Sequence, residues 1–355
     1  MTTTTASRRA VLRTVGTALA IPQLSTPSLA ATAASCRALA PSADRLSSCA
    51  TLAAAGETDT AEVLPGTTAP SATGASLQGS PIKMHTRPIP SSGEPLPVIG
   101  CGTYVGFDVE PGTPAYRELP EVLQTLFDSG GTVIDSSPMY GRAETTVGEL
   151  LERSPTRDRA FVATKVWISS RERGIEQMTQ SMARLKTKPI DLMQIHNLVD
   201  WRAHLATLEE WKKKGMVRYI GVTHYTSSAY RQLEVVMREH ALDFLQLNYS
   251  IDEREAEARL LPLAADLGIA VLVNRPFGGG GVLGRLRKRP LPEWAAELGV
   301  TTWPQALLKF VLGHPAVTCV IPGTGKPAHM SDNAAAGSGE LPDLAMRERM
   351  AAEWR

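Results

Sequence analysis

Residues 133–141 read VIDSSPMYG. Val133 and Ile134 close an apolar run, and Asp135 ends it with a carboxylate just before the turn-forming Ser-Ser-Pro. Tyr140 follows five residues after the acid. A charged group at the last position of a buried strand either caps the next element or meets a partner from another strand. The same strand-like grammar recurs along the chain, in VIGCGT, TVIDSS, FVATKVW, IDLMQIH, VRYIGVTH, FLQLNYS, IAVLVNRPF and VTCVIPG. Between these runs lie segments such as RELPEVLQTLFDSG, RERGIEQMTQSMARLK and EAEARLLPLAADLG, whose apolar residues three and four apart mark helices, several of them ending at Gly. Eight strands alternating with helices predict an α/β fold of the (β/α)8, or TIM, barrel type. Ahead of them IKMHTRPIPSSGEPLPVIG predicts an N-terminal β-hairpin turning at SSGE. A doubly wound open sheet is the competing architecture, and GGGGVLG, Gly278 to Gly284, does contain a G-x-G-x-x-G. It follows the seventh strand, however, and Pro276 and Pro290 leave no room for the helix that a dinucleotide fingerprint requires. The expectation here is a mobile loop whose backbone approaches a ligand.

Composition narrows the function classes. The chain has 355 residues, 43% hydrophobic and 21% charged, with a net charge of +1, so a large core is possible. Near-neutral charge gives no reason to expect nucleic acid or an anionic membrane as partner, and no apolar run is long enough to span a bilayer. The seven histidines form no H-x-H or tight His/Asp cluster, so no metal site is expected. Residues 34–82 are rich in Ala, Ser, Thr, Gly and Pro, and no aromatic residue precedes Tyr104, which predicts a disordered linker. Cys36 and Cys49 within it either pair or remain free thiols. Cys101 and Cys319, on the first and eighth strands, come near each other on barrel closure and are read as buried free thiols.

Residues 1–33 carry Arg8-Arg9, a weakly apolar run from Val11 to Ile21, and small residues placed for cleavage after Ala30 or Ala33. This resembles a twin-arginine export signal, which implies passage through the twin-arginine machinery to the periplasm or the exterior. Translation from Met84 would instead give a cytoplasmic form. The barrel is expected over residues 83–355.

In such a barrel the C-terminal ends of the strands converge on one mouth. The second strand brings Asp135 there, the third Lys165 and the fourth His196, with Tyr140 in the loop after Asp135. Singly, each has a structural explanation as a cap, a solvated strand end or a core aromatic. Jointly they make a specific chemistry. A phenol with a pKa near 10 is a slow acid at neutral pH; an ammonium beside it stabilises the phenolate and lowers that pKa, and a carboxylate keeps the ammonium charged and aimed. A neutral imidazole can orient a carbonyl oxygen toward the phenol.

From about Met84 to the end the chain resembles the aldo-keto reductase superfamily, through VIDSSPMYGRAETTVGELL with its Glu144 and Gly148, VATKVW and DLMQIHN. The resemblance implies a catalytic tetrad of Asp135, Tyr140, Lys165 and His196, with Tyr140 as general acid. It also implies NADP(H) held across the barrel mouth and a small aldehyde or ketone as substrate. The implied cofactor positions are Gln246, Thr223 and His224 (where the family usually has Ser-Asn), Asn274 (where many members stack a tyrosine), Arg275, Thr324, Lys326, His329 and Asn333. Gly323 and His329 stand where many members place a lysine and an arginine for the 2′-phosphate, so NADP(H) is favoured and NAD(H) remains possible. Short loops imply an open pocket walled by Tyr104, Trp167 and Phe277, with Trp201 either a further wall or packed on its own helix. A monomer is expected. A regulatory, cofactor-binding subunit with little turnover is the alternative, and neither a degraded tetrad nor a docking segment is visible in the sequence.

Overall fold

The computed structural model describes residues 83–354; the expectations for the leader, the linker, Cys36 and Cys49 lie outside the described residues. The chain opens with the hairpin, β1 (Thr86–Pro88) against β2 (Pro95–Pro97), in antiparallel register Arg87 to Leu96. Gly93, at φ 76°, and the Ile89 N–H donating to the Glu94 carbonyl (2.8 Å) close its turn.

Eight parallel strands follow in sequential order: β3 (Cys101–Gly102), β4 (Val133–Asp135), β5 (Phe161–Val166), β6 (Ile190–His196), β7 (Val217–Thr223), β8 (Phe244–Asn248), β9 (Ala270–Asn274) and β10 (Cys319–Val320). The Gly100 N–H donates to the Val320 carbonyl (2.9 Å) and the Gly102 N–H to that of Pro322 (3.1 Å), which joins first strand to last. The sheet is therefore a closed (β/α)8 barrel, as the strand–helix alternation predicts. Helices α1 (Pro114–Asp128), α2 (Ala143–Arg153), α3 (Arg171–Leu185), α4 (Trp201–Lys213), α5 (Tyr230–Glu239) and α6 (Leu260–Asp266) alternate with the strands. After β9 come α7 (Gly281–Leu286), α8 (Trp294–Glu297) and α9 (Trp303–Leu312); α10 (Pro327–Ala335) and α11 (Leu344–Trp354) finish the chain. Among the described residues no helix is long and apolar enough to cross a membrane.

Two-residue alternation sorts the strand side chains. Phe161, Leu192, Tyr219, Phe244, Leu272 and Cys319 point into the barrel, where the hairpin's Ile89 and Leu96 join them and plug the bottom. Val162, Met193, Ile220, Leu245 and Val271 point out beneath the helices. Cys101 belongs to this outer layer and Cys319 to the inner one, so both are buried free thiols on opposite faces of the sheet. Adjacent strands did not make them neighbours in the useful sense.

Two local features position the mouth. Gly148 on α2 packs so closely on the Arg184 carbonyl at the end of α3 that a β-carbon would overlap it. Glu144, buried on the same α2, accepts a hydrogen bond from Thr164 Oγ1 (2.6 Å), which stands next to Lys165 on β5. The glycine-rich stretch departs from expectation: Gly278–Gly280 form a single turn with positive φ at all three, and a six-residue helix starts at Gly281. Proline 290 lies beyond that helix, so a short one fits.

Candidate active site

The inward positions one layer above the apolar plug are polar, and they form one connected network. Lys165 Nζ, fully buried, donates to Asp135 Oδ2 (2.5 Å) and to the Ser136 carbonyl (2.6 Å). Asp135 Oδ1 accepts from Gln194 Nε2 (3.0 Å) and Gln246 Nε2 (2.9 Å). Gln246 Oε1 in turn accepts from Thr223 Oγ1 (3.0 Å) and Asn274 Nδ2 (3.3 Å). A buried carboxylate is tolerable only with such pairing. Gln194 was not among the residues singled out from the sequence. Its signal was available, since it lies two residues before His196 and a strand puts i and i+2 on one face.

Tyr140 lies over this network, half-buried, with its ring 5.1 Å from Lys165 Nζ. Asp108 holds its loop, accepting the Arg142 N–H (2.8 Å) beneath Gly141. Burial pushes the Tyr140 phenol above its ordinary value; Lys165 pulls it down and Asp135 pushes it up. The net direction is upward, which corrects the expectation that the lysine would dominate. Burial also opposes the Lys165 ammonium, but Asp135 and Tyr140 outweigh it and its pKa is raised.

His196 lies edge-on to Tyr140, ring centroids 5.9 Å apart. Burial, then Lys165 and His224, lower its pKa to about 3, so the ring is neutral. Ser137 Oγ is 3.1 Å from His196 Nδ1 and accepts from the Met139 N–H (3.5 Å). That hydroxyl can donate its proton to Nδ1, the arrangement that leaves the imidazole proton on Nε2. Ser137 too went unnoticed in the sequence.

Around the rim, Tyr104 (63% exposed) packs edge-on to Tyr140 at 5.0 Å, and Trp167 (40% exposed) lies 6.3 Å from His196. Gln177 clamps the Trp167 backbone, accepting its N–H (2.6 Å) and donating to its carbonyl (3.4 Å). Phe277 is half-buried against the core. Trp201 is buried against His240 on the outer side and takes no part. Six non-glycine residues of the rim loops have positive φ: Val105, Ser170, Asn197, Leu198, Asp200 and Arg275.

The implied cofactor positions fall into two groups. Thr223, His224, Gln246, Asn274 and Arg275 cluster at the ends of β7, β8 and β9. Asn274 Nδ2 donates to two acceptors, the His224 carbonyl (3.2 Å) and Gln246 Oε1, so its Oδ1 is left buried without a donor; Arg275 Nε is likewise unpartnered. A free acceptor and a free donor on consecutive residues fit a ligand bearing a carboxamide or other polar groups. The second group lies at β10 and α10. Thr324 and Asn333 are buried, Lys326 pairs with Glu118 of α1 (2.7 Å), and His329 is exposed.

A model of the aldo/keto reductase family matches residues 98–351, nearly all of the barrel. This chain belongs to that family. An aldo-keto reductase of Strobilurus tenacellus is 28% identical over 261 residues, 62% of this chain and 76% of that protein. The NADH-specific methylglyoxal reductase of Escherichia coli is 28% identical over 214 residues, 51% of this chain and 63% of its own length. Among solved structures, an aldo-keto reductase from Klebsiella pneumoniae in complex with NADPH shares 25% identity with a TM-score of 0.64, over 76% of this chain and 95% of that one. As an aldo/keto reductase the chain is an oxidoreductase with a TIM-barrel fold.

Proposed function

We propose that this aldo/keto reductase reduces a small aldehyde or ketone using NADPH, with NADH accepted, and with Tyr140 as the proton donor. The buried Lys165–Asp135 pair beneath Tyr140, with a neutral His196 beside it, carries the reading. A donor must hold its proton until the reaction, and burial keeps the Tyr140 phenol protonated at neutral pH. Lys165 then stabilises the phenolate left behind, while Asp135 and its amide partners keep the ammonium fixed. His196 presents Nε2–H to the carbonyl oxygen and aims it at the phenol. When bound, the reduced nicotinamide supplies hydride to the carbonyl carbon. Thr223, His224, Gln246, Asn274 and Arg275 would hold its ring end; Thr324, Lys326, His329 and Asn333 would hold its adenosine end. The Lys326–Glu118 pair leaves the 2′-phosphate only a partly neutralised cation, which favours tolerance of NADH. Tyr104, Trp167 and Phe277 wall an open substrate site. We further infer a monomer with a leader over residues 1–33 that takes it out by the twin-arginine route, a linker over 34–82 and a catalytic barrel over 83–355.

The test is NADPH oxidation by the full chain with a nitrobenzaldehyde, beside Tyr140→Phe, from pH 6 to 11. Loss of the proton donor should cost about 10²–10⁴ in turnover. Wild-type reduction should stay level through neutrality and fall only as pH passes above the ordinary phenol value of 10.0. Full turnover in the variant would remove Tyr140 from its role. Tight cofactor binding with no turnover in the wild type would favour a regulatory subunit.

A further inference from the structure

His224 occupies an unusual electrical position at the mouth. Its Nδ1 accepts the Thr226 backbone N–H (3.2 Å), with Thr226 Oγ1 at 3.3 Å. A backbone N–H only donates, so Nδ1 keeps its lone pair and the neutral ring carries its proton on Nε2, which has no partner among the described residues. Tyr225 lies flat on the ring, centroids 5.5 Å apart and planes within 5°, and Arg275 lies beyond it, Cζ 5.7 Å from the Tyr225 centroid. The His224 carbonyl holds Asn274, the residue with the orphaned Oδ1. Protonation at Nδ1 would set it against the Thr226 N–H and turn it toward the Thr226 hydroxyl oxygen, which can accept.

The surrounding charges offer no relief. His196 on β6 pairs in register with Thr223, the residue before His224, and senses its charge. Lys165 on β5 and Asp135 on β4 neutralise one another, Tyr225 shares the loop with His224, and Arg275 adds a cation from the β9 loop. None of these is an unpaired carboxylate. A carbonyl aimed by Tyr140 and His196 must take its hydride from a ring beside them, and the polar atoms left free for that ring are those of the adjoining β7–β9 ends.

We propose that His224 is a positioning residue that reads the oxidation state of the nicotinamide. As the neutral imidazole it presents a single N–H to the cofactor; protonated, it repels the oxidised ring, which carries a positive charge, and leaves the neutral reduced ring unaffected. Acidification thus favours reduced over oxidised cofactor, which promotes product-side release of NADP⁺. The inference rests on the reductase reading above. Burial lowers the His224 pKa from 6.5 against a smaller upward pull from the Thr226 backbone, so the effect belongs to the acidic side of neutrality, while His196, held at about 3, does not titrate there.

The test is the ratio of the NADP⁺ and NADPH dissociation constants for the full chain, measured by fluorescence quenching from pH 8 to pH 5.5. Titration of the 2′-phosphate affects both forms alike and cancels in the ratio. The wild-type ratio should rise as pH falls, most steeply at the acid end of the range. His224→Asn, which keeps an N–H donor that does not titrate, should bind both forms with a flat ratio, and His224→Phe should weaken both at every pH. A flat wild-type ratio, or the same slope in His224→Asn, overturns the inference alone. Failure of both cofactor forms to bind at any pH overturns the reductase reading and the inference with it.

Discussion

The two ends of the barrel are built on opposite principles. At the bottom, most polar groups are paired, with Arg157 Nη1 an exception, and one non-glycine residue, Lys186, has positive φ. Arg87 of the hairpin donates to the carbonyls of Leu312, His314 and Val317 at the end of α9. Tyr219 reaches Ser92 and Glu94, Arg218 bridges Glu94 and Asp191, and Lys212 pairs with Asp243. At the mouth, six rim residues hold the left-handed backbone that costs L-residues energy, and Asn197 Oδ1, Asn274 Oδ1 and Arg275 Nε are buried without partners. One end stores stability, and the other gives some up to leave atoms free for a ligand.

Lys165 should break that division most sharply, because it belongs to both accounts. Lys165→Met leaves Asp135 buried with only the two glutamine amides. The expected cost is about 3–5 kcal/mol in denaturant unfolding together with loss of turnover. Unchanged stability would mean that the Lys165–Asp135 pair does not hold the fold together. Arg87→Ala tests the bottom alone. It removes three charge-assisted hydrogen bonds to helix-end carbonyls, and unfolding should be easier by about 2–3 kcal/mol with kcat unaltered. A drop in kcat without a drop in stability would dissolve the contrast between the ends. The smallest effect belongs to Val105, a β-branched residue at φ 64° within the tight turn that carries Tyr104. Val105→Gly should gain about 0.5–1 kcal/mol, the relief of backbone strain less the entropy of glycine. KM should rise as Tyr104 loosens. A loss of stability would show that the turn is not strained.

The sequence made the barrel and its mouth legible for one reason: apolar runs ending in Asp135, Lys165 and His196 carry both the period and the place where it stops. The connections between those ends were less legible. Gln194 and Ser137 look like ordinary strand and loop residues, and only the inward face of β6 and the loop geometry bring them to Asp135 and His196. Of the left-handed rim residues only Asn197 and Asp200 are of types enriched at positive φ; Val105, Ser170, Leu198 and Arg275 gave no signal. Helix α7 escaped because four glycines read as a loop, whereas three of them form a turn and the fourth begins a helix that runs to Leu286.

Gly148 takes no part in this chemistry itself, yet it constrains how the molecule can change over generations. Any side chain there would drive α2 away from α3, and with α2 goes the Glu144 that holds Thr164 beside Lys165. Descendants of this sequence are therefore held to glycine at that one helix contact. A lineage that lost it would have to rebuild two helices before it recovered a working lysine.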